Sequence, residues 1–356
     1  MSAAAAAEIP AADADAEGPI SAVAEPEARE GRRVFAGFRE VWTPVAASQA
    51  LSRNEPLGVA IGGTKVVVFR GAGGAVAALV DRCPHRGVAL SLGKVKNGCL
   101  ECPFHGWRFD GAGATRHVPW NPDAKLARMH AHAVVAREHG GLIWVYTGAR
   151  ADEGPYVPPA LLAPAVRVTA ESVVWKTHWT RAMENMLDWP HLPFVHAGTI
   201  GRGMLRASDA RMDVHWEPTP WGATSRIDID GEPQKARLDF RWPNGMTLYI
   251  PITERVLVLQ VACIPIDARA TRLMLITGRD FLRAPLLDGL FHWQNRRIAI
   301  EDQAVVESSD PPEVPRASEE ASVRTDSLPL YFRKRYYAEL REDRKRPLPV
   351  VTSAGR

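Results

Sequence analysis

A cluster of metal-type side chains between residues 83 and 105 constrains this chain more than any other feature; it reads CPHRGVALSLGKVKNGCLECPFH. Cys83 and His85 are separated by one residue, and after a further sixteen residues come Cys102 and His105, separated by two. Each loop therefore offers one sulfur and one nitrogen donor. A tetrahedral zinc site accepts two cysteines and two histidines, but a zinc finger usually takes its cysteines from one loop and its histidines from another. One of each per loop suits a [2Fe-2S] cluster with two cysteines on one iron and two histidines on the other, a division that raises the reduction potential above that of an all-cysteine cluster. Cys99 forms a Cys-x2-Cys with Cys102, but the donor set is complete without it, so it is read as a buried strand thiol.

The stretch Glu184-Asn-Met-Leu-Asp-Trp-Pro-His-Leu-Pro-Phe-Val-His196 carries two more histidines, five residues apart. On an ideal helix this spacing turns one ring about 140° from the other. Pro193 lacks a backbone donor and clashes with the preceding turn, so it is expected to break the helix and let both rings face one point. Asp188 stands three residues before His191, on the same helical face, and can accept the proton of the ring nitrogen turned away from a metal.

Two histidines and one carboxylate on one face make the donor set of a mononuclear Fe(II) that activates O2. The missing carboxylate is sought in a helix predicted over 286–308. There Asp302 has Ile298 and Ala299 one turn before it and Val305 and Val306 one turn after. A carboxylate on an apolar helix face is costly unless it is paired or metal-bound. Asp302 is therefore the expected third ligand, while Glu301, one turn beyond Arg297, is read as exposed.

At 356 residues the chain exceeds a typical single domain of about 100–150 residues, so two domains are expected. Residues 1–33 carry mostly Ala, Glu, Asp and Pro and are read as a disordered acidic tail. Residues 34–150 are read as an all-β domain, with strands at Lys65–Arg70, Ala75–Val80 and Leu142–Tyr146 between glycine turns. Gly154–Pro159 is a linker candidate. Residues 151–345 are read as an α+β domain built on an antiparallel sheet, with strand-like runs near Val166–Lys176, Asp213–Ile229, Arg237–Ile250, Glu254–Pro265 and Arg272–Phe281. Asn244-Gly245 signals a hairpin, and helices are expected around 179–192 and 286–308. The basic run Arg333–Arg346 is read as a solvated helix with Tyr331, Phe332, Tyr336 and Leu340 packed inward, and 346–356 as a C-terminal tail.

The first constellation resembles the Rieske family, whose pattern C-x-H-x16–17-C-x2-H is matched by Cys83, His85, Cys102 and His105. Pro84, Arg86, Gly87, Pro103, Gly106 and Trp107 resemble its oxygenase branch. The second constellation resembles the catalytic domain of Rieske non-haem iron oxygenases, whose motif (D/E)-x3-D-x2-H-x4-H is met by Glu184, Asp188, His191 and His196. The resemblance covers about residues 40–340 and leans toward the phthalate, vanillate and pheophorbide oxygenases. It implies a helix-grip catalytic domain and α subunits assembled head to tail as a homotrimer. It further implies that Asp188 bridges His191 to a cluster histidine, His85 or His105, of the neighbouring subunit, with Glu184 a candidate member of that bridge.

The activity so implied is hydroxylation or oxidative O- or N-demethylation of a small organic substrate, with O2 as co-substrate. Met204–Leu205 and Asp239–Ile252 are the expected pocket-lining segments. A Rieske ferredoxin-like carrier without oxygenase activity is the rival reading, but about 100–120 residues suffice for such a module. No flavin or nicotinamide fingerprint is present, so NAD(P)H is expected to act only through a separate reductase or ferredoxin. An excess of basic residues beyond the tail is compatible with an acidic redox partner. No apolar run approaches the ~18–20 residues of a membrane span and no secretory leader is evident. The expected setting is the cytoplasm, with neither membrane nor nucleic acid as partner.

Overall fold

Short β-branched runs between glycine turns build three small antiparallel sheets in the first half of the chain. The computed structural model describes residues 35, 38–149, 151–201, 209–252 and 254–341; the expected tails, 1–33 and 346–356, and Met204–Leu205 lie outside them. One sheet pairs Trp42–Ala47, Leu142–Tyr146 and Ala136–His139. A second orders Leu57–Ile61, Thr64–Arg70, Val76–Val80 and Ala133–Val134. Val66, Val67, Val68 and Phe69 are all fully buried, which explains a continuous apolar run where a half-solvated strand would alternate. Gly140 and Gly141, at φ +60° and +74°, close the hairpin between His139 and Leu142, a two-residue turn in which both positions need the left-handed region.

The third sheet carries the cysteines: Lys94–Lys96, Cys99–Glu101, Arg108–Phe109 and Thr115–His117. Cys99 lies on a strand as expected, but it is half-buried, not buried. The linker candidate is packed: Pro155, Val157 and Pro158 are buried, and Glu153 O accepts from Trp42 Nε1 at 2.9 Å.

Among the described residues the second half forms one antiparallel sheet of eight strands. Its main path runs Arg167–Trp175, Thr271–Arg279, Arg255–Pro265, Gly245–Ile252, Arg237–Arg241, Gly222–Ile229 and Met212–Thr219. The run expected over Asp213–Ile229 is thus two strands, and so is Arg237–Ile250. Arg241 pairs with Gly245, so Trp242-Pro243-Asn244 forms the loop and Gly245 begins the next strand. The Asn-Gly pair does not make the turn itself, because Asn244 is tied to the neighbouring strand through Cys263 N–H to Asn244 O (2.8 Å) and Asn244 Nδ2 to Cys263 O (3.2 Å).

Helices Trp179–Leu187, Asp288–Glu307 and Ser327–Arg335 cover this sheet. Trp175, Trp179, Phe240, Phe332 and Tyr336 dominate the shared apolar core, and Tyr331 and Leu340 pack against it; these include all four inward residues expected of the C-terminal run, but Arg333 in that run is buried and not solvated. The two halves meet where Gly62 N–H donates to Pro265 O (2.7 Å) and Gly63 N–H to Ile266 O (2.8 Å). Phe38 also packs edge-on against Trp179 at 5.8 Å.

Candidate metal centres and substrate pocket

The two cysteine–histidine loops fold as near copies of each other. In the first, Cys83 N–H donates to Val88 O (2.8 Å) and Gly87 N–H to Cys83 O (2.8 Å). In the second, Cys102 N–H donates to Trp107 O (2.8 Å) and Gly106 N–H to Cys102 O (3.1 Å). Gly87 and Gly106 adopt φ +70° and +69°, so the glycine four residues after each cysteine is a backbone requirement. Cys83 and Cys102 are buried among Phe69, Leu79, Leu90, Leu100 and Phe109, and burial pushes the Cys83 thiol up to about 11. His85 and His105 are exposed, with ring centroids 4.8 Å apart, and His85 stacks on Trp107 at 4.6 Å. Two buried sulfurs lie beneath two exposed nitrogens. This polarity suits a cluster whose cysteine iron sits in the protein and whose histidine iron faces out.

The second site forms where the helix Trp179–Leu187 ends. Asp188 leaves helical geometry at φ −86°, ψ 133°, and its Oδ2 accepts from the His191 backbone N–H (2.9 Å) and faces His191 Nδ1 (3.1 Å). The helix expected over 179–192 therefore stops five residues early, and Asp188 caps it instead of riding on the same face as His191. Pro193 does not break it. It lies in the first turn of a short helix, Leu192–Val195, where a missing N–H and a fixed φ cost nothing. His196 follows that turn at φ −105°, ψ 27°, which brings the two rings to 5.3 Å. Gly201 N–H closes on His196 O at 2.9 Å, and a Cβ at Gly201 would stand 2.0 Å from Leu192 O.

Asp302 arrives from the helix Asp288–Glu307, on the buried face predicted for it; Ala299 and Val306 flank it, while Val305 points outward. Its Oδ1 lies 3.1 Å from His196 Nε2 and 3.6 Å from His191 Nε2. A ligand atom from each of His191, His196 and Asp302 lies within 4.8 Å of the others. Because a carboxylate only accepts, Asp188 and Glu301 hold the ring protons on Nδ1, leaving both Nε2 atoms as lone-pair donors. The buried Asp302 Oδ1 has no hydrogen-bond donor. Three facing lone pairs in a dry site repel one another, and a divalent cation removes that cost. Burial works to lower the His196 pKa, but Asp302 and Glu301 outweigh it and raise the ring above its ordinary value, a further sign that the site attracts positive charge.

Residues 41–131 match the family described as "Rieske [2Fe-2S] domain", and residues 175–342 match "Vanillate O-demethylase oxygenase C-terminal domain". The dicamba O-demethylase oxygenase component of Stenotrophomonas maltophilia is 34% identical over 314 residues, spanning 76% of this chain and 87% of that protein. This chain belongs to the Rieske oxygenase family. Methylxanthine N3-demethylase NdmB of Pseudomonas putida is 29% identical over 328 residues, spanning 83% of this chain and 88% of its own. Among solved structures, Pseudomonas putida CBB5 NdmA superposes with a TM-score of 0.72 at 27% identity, covering 88% of this chain and 93% of that one. The match to the second half excludes an electron carrier that consists of a Rieske module alone.

Beside the triad of this Rieske oxygenase opens a cavity of about 70 Å³. Its walls are apolar, with Trp175, Met246, Leu248, Leu259 and Ile298 among them; Met246 and Leu248 fall in the expected segment Asp239–Ile252. Asn185 and Asn295 add amides, and the Asn185 Nδ2 is buried without an acceptor. The sequence reading missed both. Two acids take partners that the sequence did not indicate: Glu184, whose place in the bridge was left open, and Glu301, which was read as exposed. Glu184 does not reach toward Asp188; it pairs with Arg181 (3.0 Å) and Arg333 (2.5 Å), and Glu320 completes the ring of charges. Glu301 is not simply exposed, since its Oε2 meets His196 Nδ1 at 2.9 Å and accepts from Thr199 Oγ1 at 2.6 Å.

Proposed function

We propose that this oxygenase demethylates or hydroxylates a small, largely apolar organic molecule, with His191, His196 and Asp302 holding a mononuclear Fe(II) and Cys83, His85, Cys102 and His105 holding the [2Fe-2S] cluster. The observation that carries the assignment is the buried, donorless Asp302 oxygen facing two Nε2 lone pairs. When bound, these centres supply electron storage and the reductive activation of O2. The chain's own groups do the rest. The apolar walls exclude water and seat the substrate body, the amides of Asn185 and Asn295 orient it, and Asp188 keeps the proton of His191 on Nδ1.

Electrons come from a separate ferredoxin or reductase, and the exposed His85–His105 edge is where they would leave the cluster. Asp188, a quarter exposed, then links His191 to the histidine edge of a neighbouring subunit in a homotrimer. This reading leans on the exposure of both cluster histidines in the single chain. Oxidative removal of an N- or O-methyl group is the favoured reaction, because the relatives matched over most of their length are named N- and O-demethylases. Among the described residues no helix is long and apolar enough to cross a membrane.

The test is metal analysis of anaerobically purified protein followed by turnover on a panel of N- and O-methyl aromatics with a surrogate reductase. About three irons per chain, a Rieske-type EPR signal on reduction and formaldehyde release support the proposal. Stoichiometric zinc without that signal overturns it.

A further inference from the structure

We infer that Glu301 is a positioning residue: it clamps the His196 ring in register with Asp302 and, through Thr199, anchors the pocket-lining Ile200. This rests on the ligand assignment of His196 and Asp302 proposed above. The geometry is that of a vice built from two consecutive residues of one helix. Glu301 Oε2 stands 2.9 Å from His196 Nδ1, and Asp302 Oδ1 stands 3.1 Å from His196 Nε2. Both nitrogens of a ring that is only 1% exposed are thus held by the helix Asp288–Glu307, across more than a hundred residues of chain.

The companion contact on His191 differs in kind. Asp188 grips His191 from three residues away and takes its backbone N–H as well, so it organises only its own turn. Glu301 instead joins two distant segments. The same Oε2 accepts the Thr199 hydroxyl at 2.6 Å, Thr199 N–H returns to His196 O at 2.9 Å, and the next residue, Ile200, lines the pocket. Arg297 Nε, one helical turn back, lies 3.4 Å from the other oxygen. Without Glu301 the buried His196 Nδ1–H loses its acceptor, and the ring can turn its lone pair away from Asp302. Ile200 then loses its anchor.

The experiment compares Glu301→Ala, Glu301→Gln and Thr199→Val in the full chain, with the Rieske EPR signal as the internal check on folding. Metal affinity of the mononuclear site is read by Fe(II) titration and by the absorption spectrum of Co(II). Glu301→Ala is expected to weaken metal binding about 10–100-fold, the usual cost of losing such a partner of a ligating histidine, and to change the Co(II) spectrum. Glu301→Gln keeps a carbonyl oxygen for the ring N–H and is expected to recover most of the affinity. Thr199→Val is expected to leave metal affinity nearly unchanged while raising the substrate KM about fivefold, the worth of one hydrogen bond. Wild-type affinity and spectrum in Glu301→Ala overturn the inference. His196→Ala and Asp302→Ala serve as controls: if both keep Fe(II), the ligand assignment itself fails, which is a different result.

Discussion

One oxygen of Asp188 serves His191 twice, accepting from its backbone N–H at 2.9 Å and facing its Nδ1 at 3.1 Å. The backbone contact sets the turn and the ring contact sets the tautomer; because one oxygen serves both, an amide at this position can keep both while giving up the second carboxylate oxygen and the charge proposed to face the neighbouring subunit. Asp188→Asn keeps an acceptor for the backbone and is expected to leave both metal centres assembled. Product formation in a single turnover of chemically reduced enzyme should nevertheless fall steeply, with slow oxidation of the cluster. Wild-type rates for cluster oxidation and product together remove Asp188 from the electron path.

Asp302→Ala deletes the one carboxylate among the three converging donors. Iron analysis should show loss of the mononuclear iron, about one of three per chain, with the Rieske EPR signal unchanged. Loss of both centres means that Asp302 supports the fold and is not a ligand.

Glu184 tests whether the acid that opens the motif serves the fold through its ion pairs. It lies between Arg181 and Arg333, each only 8% exposed, so Glu184→Ala leaves two nearly buried guanidinium groups with Glu320 alone. Breaking such a network typically costs about 3–5 kcal/mol, and a clear fall in denaturation midpoint is expected. Electron transfer between the centres in the folded fraction should be unaffected. A variant with wild-type stability but impaired transfer would return Glu184 to the bridge.

Asp288 provides a pH test. Hydrogen bonds from Arg167 and then Arg279 outweigh burial and hold its carboxyl down at about 2, against an ordinary 3.8. A depressed folded-state pKa stabilises above the unfolded value, and the stabilisation fades as pH falls from about 4 toward 2. The shift corresponds to about 2 kcal/mol at neutral pH. Asp288→Asn should therefore lower stability by about that amount at pH 7, and its difference from wild type should shrink progressively below pH 4 in urea melts. A difference constant with pH rules out the ion pair as its source.

The parts of this protein that could be read from the chain are those whose causes are local. A cysteine, a histidine and a glycine within five residues define each cluster loop, because the Cys83–Val88 and Cys102–Trp107 turns close on themselves. Asp302 stood out because helical periodicity alone sets it beside Ala299 and Val306. The break near His191 was anticipated but assigned to Pro193, and whether that proline ends a helix or begins one depends on where the preceding helix has already stopped. Asp188, by leaving the helix to cap His191, decides that.

Ligand types, their spacing and the β-branched runs were determined by the sequence itself, through steric and hydrogen-bonding rules that act within a few residues. Tertiary structure alone decided which surfaces meet. Glu301 and Asp302 differ by about 100° on one helix, and periodicity marks one as apolar-facing and the other as solvent-facing. The turn Thr199–Gly201, arriving from a hundred residues earlier, covers Glu301 and gives it His196 and Thr199 as partners. Glu184 is likewise withdrawn from the site because Arg333 and Glu320, far along the chain, come to rest against it. The fate of a charged side chain is set by the dielectric and the partners around it, and those belong to the packed fold, not to any short stretch of chain.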